Sequence, residues 1–179
     1  MKTKKVLIIG GPGTGKSSVL HELEKRQFTC FHEIAREVIL QAQREGIEQL
    51  FLKDPLLFSK KLLEGRIQQF KEANESEENI VFIDRGIPDV IAYLDYKKDD
   101  YPAYFLEDSQ NYKYDEVFIF PLWEEIYKSD NERYEDFEEA KTIQKFLLKT
   151  YTNLGYKPIE VPKNTIENRT DFILKKLSL

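Results

Sequence analysis

One cysteine, one tryptophan and two histidines among 179 residues leave little material for several kinds of chemistry. Cys30 alone cannot close an internal disulfide, so nothing points to an oxidising compartment. His21 and His32 lack company at metal-ligand spacing and read as surface or core histidines. Long apolar runs are missing too, the longest being about five or six residues against the roughly 20 that cross a bilayer. After the basic start Met1 to Lys5, only Val6 to Ile9 is apolar before glycine intervenes, too short for a signal-peptide core. Nor is there a surplus of positive charge: 27 Lys plus Arg face 32 Asp plus Glu, a net charge of −5, which speaks against general nucleic-acid binding. The expectation is a soluble, cytoplasmic protein without nucleic-acid or membrane partners.

What is present suffices for one core. The chain is 41% hydrophobic and 13% aromatic, and its length suits about one domain of 100 to 200 residues. Lys4 to Gly10 is a short apolar run bounded by glycine, as expected of a strand covered on both faces. Phe28 to His32, Ile80 to Asp84, Glu116 to Phe120 and Tyr156 to Val161 repeat the signal, with helical spacing between them. Such alternation predicts an α/β sandwich with a parallel sheet. Asp54 before Pro55 predicts a capped helix to about Asn74, with Leu56, Leu57, Lys60, Leu63, Ile67 and Phe70 facing the core. Another helix is predicted from about Asp136 to Leu154, stopped by Gly155. Asn164 and Glu167 have capping-box spacing ahead of a last one.

Gly10 to Ser17 reads GGPGTGKS and fits the phosphate-binding pattern GxxxxGK[ST], placed between a strand and an amphipathic helix. Residue frequencies produce that pattern in under about one per cent of chains of this length. Glycines let the loop of Gly11, Pro12, Gly13, Thr14, Gly15, Lys16, Ser17 and Ser18 wrap phosphate oxygens with its N–H groups pointing inward, Pro12 itself having none to give. The helix that follows aims its positive end at the anion. Lys16 is expected on the β and γ phosphates and the Ser17 hydroxyl on Mg²⁺.

Two further strand ends are acidic. Ile80 to Asp84 ends in a carboxylate that suits the Mg²⁺ site, and Arg85 beside it suits a phosphate clamp. After the second predicted strand come Glu33 and Arg36, three apart and thus on one helical face. They read either as a surface pair or as a general base with a substrate-holding arginine. Tyr93, Tyr96, Tyr101, Tyr104 and Phe105 read either as packing or as the lining of a pocket for a flat heterocycle.

GGPGTGKS, HEIAREV (32–38), DRGIPDVIAYL (84–94), LGYKPIEVP (154–162) and ENRTDFIL (167–174) together resemble the small P-loop ATPases related to the ribosylnicotinamide kinase domain of NadR, a family labelled AAA-type although its build is nucleoside-kinase-like. The resemblance covers nearly the whole chain. It implies a three-layer sandwich whose five-stranded parallel sheet has the order 2-3-1-4-5, a donor nucleotide at the loop, and an acceptor pocket above strands two and three. It also implies one domain over residues 1–179, with a lid at about 122–137 whose only cations are Lys128 and Arg133. That lid is unusually acidic, carrying Glu124, Glu125, Asp130, Glu132, Glu135 and Asp136. Charge developing in transfer then falls to Arg133 alone or is shared with Arg85, or turnover is slow.

The expected activity is Mg²⁺-dependent transfer of the γ-phosphoryl group of ATP (or GTP) to a small nucleoside-like hydroxyl acceptor. Lys16, Asp84, Glu33, Arg85 and Arg133 would be catalytic, Glu33, Arg36 and Arg85 would hold the acceptor, and Ser17 and Asp84 would serve the metal, with Asp84 and Glu33 rival candidates for the base. The alternative is an ATPase or GTPase switch acting on a protein partner. Oligomeric state stays open between monomer and homodimer.

Overall fold

A computed structural model describes residues 2–127 and 136–179. Five strands, β1 (Lys4–Ile9), β2 (Thr29–Phe31), β3 (Ile80–Asp84), β4 (Glu116–Ile119) and β5 (Ile159–Glu160), form one sheet in the order β2-β3-β1-β4-β5. All pairings are parallel. Between them run α1 (Lys16–Lys25), α2 (Ala35–Arg44), α3 (Leu50–Lys53), α4 (Pro55–Glu75), α5 (Ile87–Lys97), α6 (Tyr104–Asn111), α7 (Phe137–Asn153) and α8 (Ile166–Lys176), with a 3₁₀ turn at Glu124–Ile126. The sheet and its order are those expected.

Alternation along the strands builds both layers, because successive side chains of a strand point to opposite faces. Leu7, Ile9, Val81, Ile83, Val117 and Ile119 pack with Ala92 of α5 and with Ile143, Leu147 and Tyr151 of α7. Val6, Ile8, Phe82 and Phe118 pack with Val19, Leu20 and Leu23 of α1 and with Ile173 of α8. The central strands are therefore apolar over Val6–Ile9, Val81–Ile83 and Val117–Ile119, which is the continuous pattern the sequence carries, with Lys5 and Asp84 the buried exceptions at their ends.

Some boundaries move. β5 is shorter than the run Tyr156 to Val161: it is an edge strand bracketed by Pro158 and Pro162, and prolines have no N–H for the ladder. Helix α8 is capped by Thr165, whose hydroxyl accepts from Asn168 N at 3.2 Å, one residue later than Asn164. Asn164 instead accepts from Thr165 N and from the Asn168 side chain, both at 2.8 Å. Asp54 caps α4 as expected, accepting from Leu57 N at 2.9 Å ahead of Pro55.

The chain leaves β1 toward β2 on one side and crosses from β3 to β4 on the other. In open sheets of this kind the crevice beyond the carboxyl ends of such strands is where ligands bind.

Candidate active site

The loop after β1 leads directly into α1, whose cap Gly15 is left-handed at φ 85°. A Cβ at Gly15 would be strained by that backbone and would also lie 2.8 Å from the Arg169 guanidinium, which would have to shift. The Lys16 ammonium is buried and donates to Gly10 O and Gly11 O at 3.0 Å each. Burial first, and Arg85 second, lower its pKa from 10.5 to about 8, against the pull of Asp84, Asp89 and Glu33. Ser17 and Ser18 are exposed at the start of α1.

Two side chains from distant elements grip the loop. Gln144 of α7 accepts from Gly11 N at 2.7 Å and donates to Phe120 O at 3.0 Å. Arg169 of α8 lies over the Phe120 ring and donates to Thr14 O at 3.1 Å. Beside the loop opens a cavity of about 530 Å³ bounded by Gly13, Gly15, Ser18, Trp123, Asn164 and Thr165.

At the end of β3, Asp84 is 4% exposed and its Oδ1 has no hydrogen-bond partner. Burial raises its pKa, with Lys16 and Arg85 opposing. Arg85 follows with φ 65°, a left-handed conformation uncommon for a residue with a side chain. Its Nε pairs with Glu33 at 2.5 Å, and its Nη1 reaches Asp89 at 3.4 Å and the Tyr93 hydroxyl at 3.3 Å. Glu33 also receives Arg66 Nη2 of α4 at 3.1 and 3.3 Å and Ala35 N at 3.1 Å. Burial would raise the Glu33 pKa, but the two arginines outweigh it and hold the carboxyl below its usual range.

Lys16, Asp84, Arg85 and Glu33 act on one another electrostatically beyond the ends of β1 and β3, and Ser17 follows Lys16 in the first turn of α1. Helix α2 begins at Ala35, so Glu33 precedes it and does not share a helical face with Arg36. Arg36 stays exposed in the first turn. Lys128 and Arg133 lie outside the described residues. Of the aromatic group Tyr93 meets the site at Arg85, Phe105 packs on Tyr101 and Tyr104, and Tyr96 packs on Phe146.

Arg66, Asp89, Gln144, Tyr151 and Arg169 were not singled out from the sequence. A signal exists for four of them: each is a polar residue one helical turn from an apolar one, Arg66 after Leu63, Gln144 after Ala140, Tyr151 after Leu147 and Arg169 before Ile173. Charge on a core-facing stripe has to be answered from elsewhere in the fold.

The sheet order and the GGPGTGKS loop between β1 and α1 define a P-loop fold, with a polar edge beside the loop. The model of the family described as AAA domain matches residues 5–169, and the chain belongs to that family. Solved structures share the fold. NadR in complex with NR aligns at TM-score 0.77 and 17% identity, over 99% of this chain and 52% of that one, so this chain spans about half the length of NadR. Deoxyadenosine kinase from M. mycoides with products bound aligns at 0.69 and 18%, over 97% and 98%. Thymidylate kinase from Candida albicans aligns at 0.68 and 19%, over 99% and 92%. No curated protein matches the sequence.

Proposed function

We propose that the protein transfers the γ-phosphoryl group of ATP to the hydroxyl of a nucleoside-type acceptor. The observation that carries this reading is the Glu33 carboxylate, held ionised between Arg66 and Arg85 next to the phosphate loop. Both arginines are already engaged by Glu33, so the acceptor end favours an uncharged hydroxyl over a phosphate monoester. The solved structures that share the fold, a deoxyadenosine kinase with its products and NadR with NR, support the same class.

Roles divide by environment. The loop amides and Lys16 grip the triphosphate, and α1 adds its positive end. Glu33, already neutralised, accepts the hydrogen bond of the acceptor hydroxyl and orients it; in a loose phosphoryl-transfer transition state orientation counts for more than basicity. Asp84 is different: it is a buried carboxylate whose Oδ1 has no hydrogen-bond partner, so that oxygen is open to a further cation. With the Ser17 hydroxyl it offers the all-oxygen donors that Mg²⁺ takes, completed by phosphate and water. Bound there, Mg²⁺ would neutralise charge on the transferring group. Among the described residues no cluster of three or more His, Cys, Asp or Glu offers a competing metal site. The cavity by Trp123 and Thr165 is the place for the donor base.

The reading is tested by ATP consumption with and without a panel of nucleosides and ribosides. Turnover should rise at least about tenfold with one of them and vanish in Lys16→Ala along with triphosphate binding. Turnover indifferent to every acceptor, or full ATP affinity in Lys16→Ala, would sink it.

A further inference from the structure

Asp89 is the third residue of α5 and none of its surface is exposed. A buried carboxylate is tolerated only when its oxygens are answered, and here they are. Oδ2 accepts from the Tyr151 hydroxyl at 2.5 Å and from Gly86 N at 3.0 Å, and Oδ1 faces Arg85 Nη1 at 3.4 Å. The peptide between is pinned at its other end too, since Arg66 Nη1 donates to Gly86 O at 3.1 Å. Arg85 N itself bonds to Ile8 O at 3.0 Å.

Capping α5 explains only part of this. A cap needs the Gly86 N–H bond, which a glutamate or glutamine at the same position could make at the surface. It needs neither full burial nor a tyrosine brought from α7, an element reached some sixty residues later in the chain (|i−j| = 62). The Tyr151 hydroxyl comes so close that a Cβ at position 86 would lie 2.8 Å from it and 2.6 Å from Leu7 Cδ1. Glycine at 86, tyrosine at 151 and aspartate at 89 are therefore fitted to one another. What they enclose is the residue at φ 65° whose side chain reaches Glu33. Burial and Asp89 also push the Tyr151 hydroxyl well above its ordinary pKa, so it remains a donor.

We propose that Tyr151 and Asp89 are positioning residues: they hold Arg85 in its left-handed conformation, with its guanidinium against Glu33, and so set the acceptor end of the site from helix α7. The same helix grips Gly11 through Gln144, two turns earlier. One rigid element thereby touches the donor loop and backs the acceptor arginine. This inference rests on the nucleoside-kinase reading, and its test keeps the two apart.

Tyr151→Phe removes one hydroxyl and leaves the ring in the core. The exchange of the Arg85 Nε–H with solvent, followed by ¹⁵N NMR, should quicken at least about tenfold as the guanidinium loosens. The acceptor kcat/KM should fall about 10- to 100-fold while the KM for ATP stays within about twofold. Asp89→Asn, which keeps size and one acceptor oxygen, should shift both readouts the same way and serves where Tyr151→Phe folds poorly. Unchanged Arg85 exchange in both variants, with only a lower Tm, would overturn the proposal and leave the pair as a helix cap. If no nucleoside raises wild-type turnover, the kinase reading falls by itself, and the NMR arm still decides whether Arg85 is held this way.

Discussion

Lys16 keeps its charge where burial works against it. Its pKa, lowered from 10.5 to about 8 by burial and then by Arg85, is below that of the same lysine in the unfolded chain. Between those values the unfolded state binds more protons, so folding stability rises with pH across that window, and the full cost of the buried ammonium applies below it. A bound triphosphate reverses the local balance, because its negative charge favours the ammonium form. ATP binding just above pH 8 is therefore expected to take up a proton, read by calorimetry in two buffers of different ionisation heat. Affinity should decline as pH rises further, and Lys16→Met should abolish the uptake. Binding of normal strength with no proton uptake would separate Lys16 from the phosphates.

Helix α7 turns a local pattern into three contacts of different kinds. Ala140, Ile143, Leu147 and Tyr151 are buried along one stripe, and Asp136 and Glu139 close a capping box at 2.8 and 3.1 Å. Leu147 is 0% exposed and its neighbour Leu148 is 46% exposed. Leu147→Ala should cost about 2–5 kcal/mol in urea denaturation, and Leu148→Ala no more than about 0.5 kcal/mol. Equal losses would mean that α7 faces the sheet in another rotation. This helix was legible within a residue or two, since spacing, cap and the terminal Gly155 all agree. Strand β3 was legible to the residue for the same reason, four apolar positions ending in Asp84. What local pattern could not supply was the answer to polar residues on buried faces. Arg169 meets a carbonyl on Thr14, 155 positions earlier, and Arg66 meets Glu33 across 33. Helical spacing joined Glu33 to Arg36, but the helix starts too late for that, and the partners are arginines from α4 and the end of β3.

At the scale of the molecule, the end of the chain closes on its beginning. Helix α8 packs on α1, and its Arg169 holds the loop that precedes α1, while α7 holds the same loop from the other layer. The net charge of −5 would repel a triphosphate, so binding depends on the local surplus of loop amides and Lys16 over distant surface acids. Because elements from both layers end on that loop, a ligand there should stabilise the whole fold and not one edge of it. A ligand at 100 times its Kd adds about 2.7 kcal/mol, and for a domain of this size each kcal/mol moves Tm by about 2–4 °C. Saturating Mg·ATP is thus expected to raise a single calorimetric transition by about 5–10 °C. Lys16→Ala should unfold in one transition as well, without the shift. Two transitions, with only one responding to ATP, would instead divide the segment of α2 to α4 from the sheet and refute a chain that folds and binds as one domain.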